Sequence, residues 1–142
     1  LHSFPTRRSS DLEASGDEQA RADAETLYDF ALRRGTDSDG LAFAAVDDAG
    51  EVLDGRKLLW PQTEMLKAQL AMFEWTGDGG TKAAAEKALG AIKTRYMRAD
   101  GALFYNLLER SGAPDEAPSL SRLLYHLFVA AAEAERLLSP GA

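Results

Sequence analysis

The sequence predicts an all-α fold made of helix pairs, with short β-hairpin loops between the pairs. Apolar residues recur at helical spacing in four stretches of the 142-residue chain, which indicates four amphipathic helices. Segments rich in Gly, Asp and Pro interrupt these stretches, and two of the interruptions contain short β-prone runs. The order is helix, hairpin, helix, helix, hairpin, helix. Because a single helix pair cannot bury both of its faces, such units normally stack into an arc or a ring.

The composition excludes several classes of protein. The chain has 16 basic and 23 acidic residues and a net charge of −7, so we expect no nucleic-acid partner, because little basic surface would neutralise phosphates. The chain has no cysteine, which rules out disulfides and thiolate metal sites, and His2 and His126 are its only histidines. We therefore expect no metal and no cofactor. No apolar run reaches about 18 residues, so we expect no membrane span and, by default, a cytoplasmic location.

Residues 1–12 do not fit the helical pattern of the rest of the chain. They lack periodicity and combine a proline with paired arginines and serines. The run resembles a translated sequencing adapter, and the alternative is an ordinary N-terminal tail. We expect residues 1–12 to be a non-native tail and assign residues 13–142 to the folded domain.

The first predicted helix covers residues 17–34 and ends at Gly35, a plausible C-cap. Its apolar stripe consists of Ala20, Ala24, Leu27, Tyr28, Ala31 and Leu32. Two short strands, residues 40–46 and 51–53, follow on either side of the turn-forming run Asp-Asp-Ala-Gly. They predict the first hairpin.

The second predicted helix begins at Pro61, because proline suits the first helical position, where its missing N–H costs nothing. The later elements follow from the same rules of periodicity and turn composition. They are a helix to about residue 75, a break at 76–80, a helix at 81–97, an extended piece at 103–108, a loop at 111–118 and a last helix at 119–138.

Trp60 and Glu64 are four residues apart, so a helix places an aromatic ring and a carboxylate side by side at its N-terminal end. A structural explanation is available for both residues. A glutamate in the first turn meets the positive end of the helix dipole, and a tryptophan before a helix often packs on the core. Gln62, between them, is compatible with a helix surface.

The run Leu59-Trp60-Pro61-Gln62-Thr63-Glu64 resembles the W-P-Q-T-E signature of the N-acylglucosamine 2-epimerase family, which includes mannose isomerases. The resemblance implies an (α/α)6 barrel of about twelve helices, of which residues 13–142 form the C-terminal part. It also implies a sugar epimerase or aldose–ketose isomerase, with the hairpin loops at the mouth that holds the sugar.

A histidine outside the apolar stripe of its helix, such as His126, is usually exposed to solvent. The run Tyr125-His126-Leu127, however, resembles the Y-H-L motif near the C-terminus of the same family, whose histidine acts as catalytic acid or base. The resemblance therefore implies that His126 and Glu64 are catalytic and that Trp60 binds substrate. We also assign Gln62 to substrate binding, because its amide can contact a sugar hydroxyl, although a place on the helix surface fits it as well. The family's other catalytic histidine lies upstream, in a G-H-x-x-E-W-like helix. We therefore expect this chain alone to be inactive.

These residue types suit proton transfer at a sugar carbon. Epimerisation or isomerisation removes the proton beside the carbonyl, giving an enediol or enolate that is then reprotonated. An imidazole titrates at about pH 6.5 and can perform both steps. A carboxylate such as Glu64 can orient the imidazole or accept a sugar hydroxyl, and Trp60 can stack on an apolar sugar face.

Two other functions remain open from the sequence. A six-hairpin glycoside hydrolase or lyase has the same type of barrel, but needs a pair of carboxylates around the scissile bond. A non-catalytic helical repeat would serve as a binding scaffold. For the leading hypothesis the partner is a small sugar substrate, and the full-length protein is a possible homodimer.

Overall fold

The structure, a computed structural model, describes residues 18–99 and 103–139. This part of the chain is mainly helical, as predicted, with four helices and short strands; the predicted tail at residues 1–12 lies outside it. The helices are α1 (Glu18–Arg34), α2 (Leu59–Thr76), α3 (Gly79–Arg95) and α4 (Leu124–Leu138), the last preceded by a 3-10 turn (Ser121–Leu123). The strands are β1 (Ala45–Val46), β2 (Val52–Asp54), β3 (Lys57–Leu58) and β4 (Leu107–Leu108).

The first hairpin forms as predicted, with β1 antiparallel to β2. Asp47 closes the turn between the strands. Its Oδ1 accepts hydrogen bonds from the backbone N–H groups of Ala49 (3.0 Å) and Glu51 (2.7 Å). Gly50 has a φ of 86°, which glycine adopts without strain. The Asp-Asp-Ala-Gly run therefore encodes this turn locally.

The second extended segment differs from the prediction. Only Leu107 and Leu108 form a strand, and this strand pairs with β3, directly before α2, rather than with a neighbour in sequence. In place of the predicted local hairpin, this region has two isolated antiparallel bridges, Met97 to Phe104 and Leu108 to Pro114. The backbone N–H of Leu59 also donates to the carbonyl of Asn106 (2.9 Å). The start of α2 is thereby tied to the segment that leads into α4.

The junction between α2 and α3 is two residues long. Gly77 adopts the left-handed conformation with a φ of 67°, and its N–H donates to the carbonyl of Phe73 (2.8 Å). Asp78 is the N-cap of α3, and its carboxylate accepts the N–H of Thr81 (2.7 Å). This cap starts α3 at Gly79, two residues earlier than predicted.

Helix α2 lies at the centre of the packing, in contact with both α3 and α4. The buried core includes Leu59, Leu66 and Leu70 of α2, Ala85, Ala88 and Ile92 of α3, and Ala130 and Ala134 of α4. Tyr96 closes this core: it is fully buried, and its hydroxyl donates to the carbonyl of Lys57 (2.9 Å). Burial raises the pKa of the Tyr96 hydroxyl above its usual value.

The two outer helices keep apolar side chains on the surface. Helix α1 has no buried residue, and Leu27 on its predicted core stripe is 67% exposed. On α4, Phe128 is 75% exposed. Both side chains therefore leave apolar surface that is available for further packing.

Candidate active site

The first turn of α2 forms one side of the site. The helix begins at Leu59, two residues before the predicted start, with Leu58 as an extended N-cap. Pro61 is thus the third helical residue rather than the first, which is still a position whose N–H needs no partner within the helix. Trp60 and Glu64 follow one another along the same side of this turn, as the sequence predicts.

The start of α4 forms the other side, and Asn106 fixes it. The Asn106 side chain is 8% exposed, its Oδ1 accepts the N–H of Leu120 (2.8 Å), and its Nδ2 donates to the carbonyl of Pro118 (2.8 Å). The backbone carbonyl of the same residue accepts the N–H of Leu59. One asparagine therefore links the first turn of α2 to the approach to α4, which carries His126.

His126 and Glu64 meet although 62 residues separate them in sequence. The distance from Nδ1 of His126 to Oε1 of Glu64 is 2.9 Å. A carboxylate offers only acceptors, so this hydrogen bond requires the proton on Nδ1. In the neutral ring Nε2 then carries a lone pair and can accept a proton. The structure brings the two predicted catalytic residues together, while their catalytic roles stay predictions.

A third residue, Lys67, joins this pair and was not predicted from the sequence. Its Nζ lies 2.7 Å from the same Oε1 of Glu64, and only 4% of its side chain is exposed. The Glu64 side chain is 16% exposed and that of His126 32%. Its spacing of three residues from Glu64 was a sequence signal that the two side chains could form an ion pair on the helix. Lysine is rarely buried, however, so a sequence pattern assigns it to the solvent face.

Two aromatic rings flank His126. Its ring centroid lies 6.3 Å from that of Trp60, with the planes at 43°, and 5.6 Å from that of Tyr125, edge to face. Trp60 is 44% exposed and Tyr125 61% exposed. The predicted substrate-binding Trp60 is thus beside the imidazole and partly exposed, and Tyr125 is a further aromatic neighbour.

Gln62 occupies a different place from the one expected of a substrate-binding residue. It is 1% exposed, and both of its amide hydrogens go to backbone carbonyls, those of Ala42 (2.9 Å) and Leu58 (2.9 Å). Its Oε1 accepts the N–H of Ala42 (2.8 Å). Because no amide hydrogen is left for a ligand, this geometry makes Gln62 a brace between α2 and the preceding loop.

The braced loop has its own ion-pair network. Lys57, 2% exposed, lies 3.1 Å from a carboxylate oxygen of Asp37 and 2.8 Å from one of Asp39, and Arg95 also reaches Asp39 (2.7 Å). Partial burial alone would raise the pKa of the Asp39 carboxyl. The hydrogen bonds from Lys57 and Arg95 outweigh this effect, and the pKa falls to about 2.

The described residues 18–99 and 103–139 contain no cluster of three or more His, Asp or Glu side chains that could hold a metal ion. Over the same residues, none of the helices combines the length and apolar character needed to cross a membrane.

A sequence model of the family described as N-acylglucosamine 2-epimerase (GlcNAc 2-epimerase) matches residues 7–130, which is most of the chain. The matched range includes residues 7–12, and the non-native origin of residues 1–12 stays a prediction. Among curated proteins the chain has no significant match.

Several solved structures share the fold. Cellobiose 2-epimerase from Bacillus thermoamylovorans superposes with a TM-score of 0.85 at 16% identity, over 94% of this chain and 37% of that one. Cellobiose 2-epimerase from Spirochaeta thermophila superposes with a TM-score of 0.82 at 17% identity, over 91% of this chain and 35% of that one. A D-mannose isomerase superposes with a TM-score of 0.77 at 19% identity, over 90% of this chain and 34% of that one. The chain therefore has the fold of part of an (α/α)6 barrel, and it spans about a third of the length of these proteins.

Proposed function

Because the chain belongs to the N-acylglucosamine 2-epimerase family, we propose that the protein it forms part of is a sugar epimerase or isomerase that uses His126 as acid and base. The observation that carries this proposal is the hydrogen bond between Nδ1 of His126 and Glu64. It leaves Nε2 of a neutral imidazole free to take a proton. The substrate class is a reducing sugar with a carbonyl beside a carbon that bears hydrogen.

The reaction we propose begins with proton abstraction. Nε2 of His126 takes the proton from the carbon next to the carbonyl, and the electrons of that C–H bond form an enediol or enolate. The imidazolium produced is stabilised by the carboxylate of Glu64, which accepts the Nδ1–H bond throughout. Return of this proton from Nε2 to the former carbonyl carbon, while the proton of the adjacent hydroxyl passes to the former carbonyl oxygen, gives the ketose. The epimer instead needs a proton delivered to the original carbon from the opposite face of the sugar, and for this we assign the second, upstream histidine that the family resemblance implies.

The aromatic ring of Trp60 supports binding rather than proton transfer. Its exposed ring beside His126 is suited to stacking on the apolar face of a sugar. Such stacking would hold the reacting carbon near the imidazole. General acid–base catalysis by a positioned side chain contributes about 10²–10⁴-fold to the rate. Replacing His126 should therefore cause a large and measurable fall in the rate of proton transfer.

The test is solvent deuterium incorporation at the sugar carbon, with mannose and N-acylglucosamines as first substrates. In the complete barrel protein, His126→Asn should lower incorporation about 10²-fold or more while the melting temperature is retained. Glu135→Gln, an exposed change on the same helix, is the control and should have no effect. Near-normal incorporation in His126→Asn would remove this residue from the mechanism. Product analysis by NMR separates isomerisation from hydrolysis, the alternative open from the sequence.

A further inference from the structure

Lys67 is the most deeply buried of the three charged or titratable side chains that meet at Glu64, and the proposed proton transfer does not use it. Its side chain is 4% exposed, compared with 16% for Glu64 and 32% for His126. It is one of the buried residues of α2 and lies at the edge of the buried face, on the side that carries Glu64. A lysine in such a position loses most of its hydration, which is costly.

Packing alone does not account for this lysine. A buried ion pair can often be replaced by apolar residues of similar volume with no loss of stability. Lys67 contacts the one oxygen of Glu64 that also accepts from His126, whereas the other oxygen, Oε2, is buried without a hydrogen-bond partner in the described part of the chain. Two donors therefore converge on Oε1, and the position of the carboxylate is defined by both.

We propose that Lys67 is a positioning residue of the active site: its buried ammonium compensates the charge of Glu64, and this fixes His126 as a neutral base with its proton on Nδ1. The proposal deepens the proposed function and rests on it for its catalytic meaning. The arrangement itself rests only on the contacts among the three side chains.

The charge balance explains why the ammonium matters. In the described residues, the titratable groups in contact with Glu64 are Lys67 from its own helix and His126 from α4. The phenol ring of Tyr125 lies edge-on to the imidazole. With Lys67 present, its positive charge already offsets the negative charge of the Glu64 carboxylate, so the three side chains carry no net charge when the imidazole is neutral. Without Lys67 the carboxylate would favour imidazolium, and the base would be lost at low and neutral pH.

The experiment measures the ring nitrogens of His126 by ¹⁵N NMR, which reports both tautomer and protonation. The sample is this chain, or the complete barrel protein if the chain alone does not unfold cooperatively, and His126→Asn assigns the signals. In the unsubstituted protein we expect the Nδ1–H tautomer. In Lys67→Met, which keeps length but removes charge, the titration midpoint of His126 should rise by about one pH unit.

Two further variants separate charge from packing. Lys67→Arg keeps the charge and should return the midpoint toward that of the unsubstituted protein. The double variant Glu64→Gln/Lys67→Met removes both charges and should cancel the rise even if arginine does not fit. An unchanged midpoint in a folded Lys67→Met protein, or an Nε2–H tautomer in the unsubstituted one, would overturn the proposal.

The kinetic counterpart is the acid limb of the pH–rate profile, which should move to higher pH by the same amount in Lys67→Met. A merely structural lysine would lower the melting temperature without moving this limb. If the NMR results hold but His126→Asn keeps normal deuterium incorporation, the proposed function fails and the positioning role of Lys67 stands as a structural fact.

Discussion

Gln62 shows at the scale of one residue how a motif position can be structural. It lies between Trp60 and Glu64 in the run that resembles the family signature, and from the sequence we expected it to contact a sugar hydroxyl or to lie on the helix surface. In the structure its amide makes three hydrogen bonds to the backbone of Ala42 and Leu58 instead. A residue that holds the loop in place beside the site contributes to function through the fold.

This assignment predicts the effect of Gln62→Leu. The substitution removes three hydrogen bonds to the part-buried backbone of Ala42 and Leu58, each worth about 0.5–1.5 kcal/mol. We expect a clear fall in the urea unfolding midpoint of the complete barrel protein. A matched control is Gln69→Leu on the same helix, because Gln69 is also buried but its Oε1 already has no partner in the described structure. Equal stability losses in the two variants would argue against the bracing role.

Lys67 and Gln62 also show why part of the site was not predictable. In a sequence, a lysine or glutamine within a helical pattern indicates the solvent face, because these side chains are mostly exposed. Which face is buried depends here on distant segments. The loop before α2 contacts Gln62 through Ala42, 20 positions away, and α4 contacts Glu64 through His126, 62 positions away. Glu64, His126 and Trp60 were identified because two motifs resemble a known family, not because local patterns indicated chemistry.

At the scale of elements, the loop between α1 and β1 is held in place by the charged carboxylate of Asp39. Asp39 accepts from Lys57 and Arg95 and also from the backbone N–H of Leu41. Its pKa of about 2 in the folded chain lies below the ordinary value of 3.8. A carboxyl whose pKa is lowered by folding contributes stability above its unfolded pKa. That contribution is lost as the pH falls through its folded pKa.

We therefore predict an acid-dependent difference between the complete barrel protein and its Asp39→Asn variant. The unsubstituted protein should be more stable at pH 5, and the difference should disappear progressively between about pH 4 and pH 2. Thermal unfolding across this range is the measurement. Asp48→Asn, at an exposed position in the hairpin turn, should leave the pH dependence unchanged. A stability difference that stays constant down to pH 2 would contradict the role of the Asp39 charge.

The elements themselves were largely predictable, and the exceptions have a common cause. The ends of α1, α2 and α3 agree with prediction to within about two residues, since strong periodicity and local caps define them. The pairing of β4 with β3 was missed. It joins Leu107 to Leu58 across the whole of α2 and α3, and strands of two residues carry no sequence pattern that specifies their partner.

At the scale of the whole molecule, the exposed faces of the outer helices are the main feature. Leu27 on α1 and Leu124, Tyr125 and Phe128 on α4 are between 55% and 75% exposed. The three α4 residues are neighbours at helical spacing, and contiguous exposed apolar surface is uncommon on a soluble monomer. The solved structures of this fold have chains about three times as long, and in a protein of that length further helices would be available to cover such faces.

The last prediction is that residues 13–142 expressed alone fold poorly, self-associate and have no isomerase activity. At about 25 cal/mol per Å², a few hundred Å² of apolar surface left uncovered is worth several kcal/mol, which approaches the whole stability of a domain, about 5–15 kcal/mol. We expect concentration-dependent sedimentation and a broad thermal transition, with association reduced by Phe128→Glu but not by Glu135→Gln. Activity should be missing because the upstream histidine that the family resemblance implies is not in this chain. A monomeric product that melts cooperatively and turns over mannose or N-acylglucosamines would contradict this, because it would mean that α1 and α4 need no neighbours and that His126 alone is sufficient for the proton transfer.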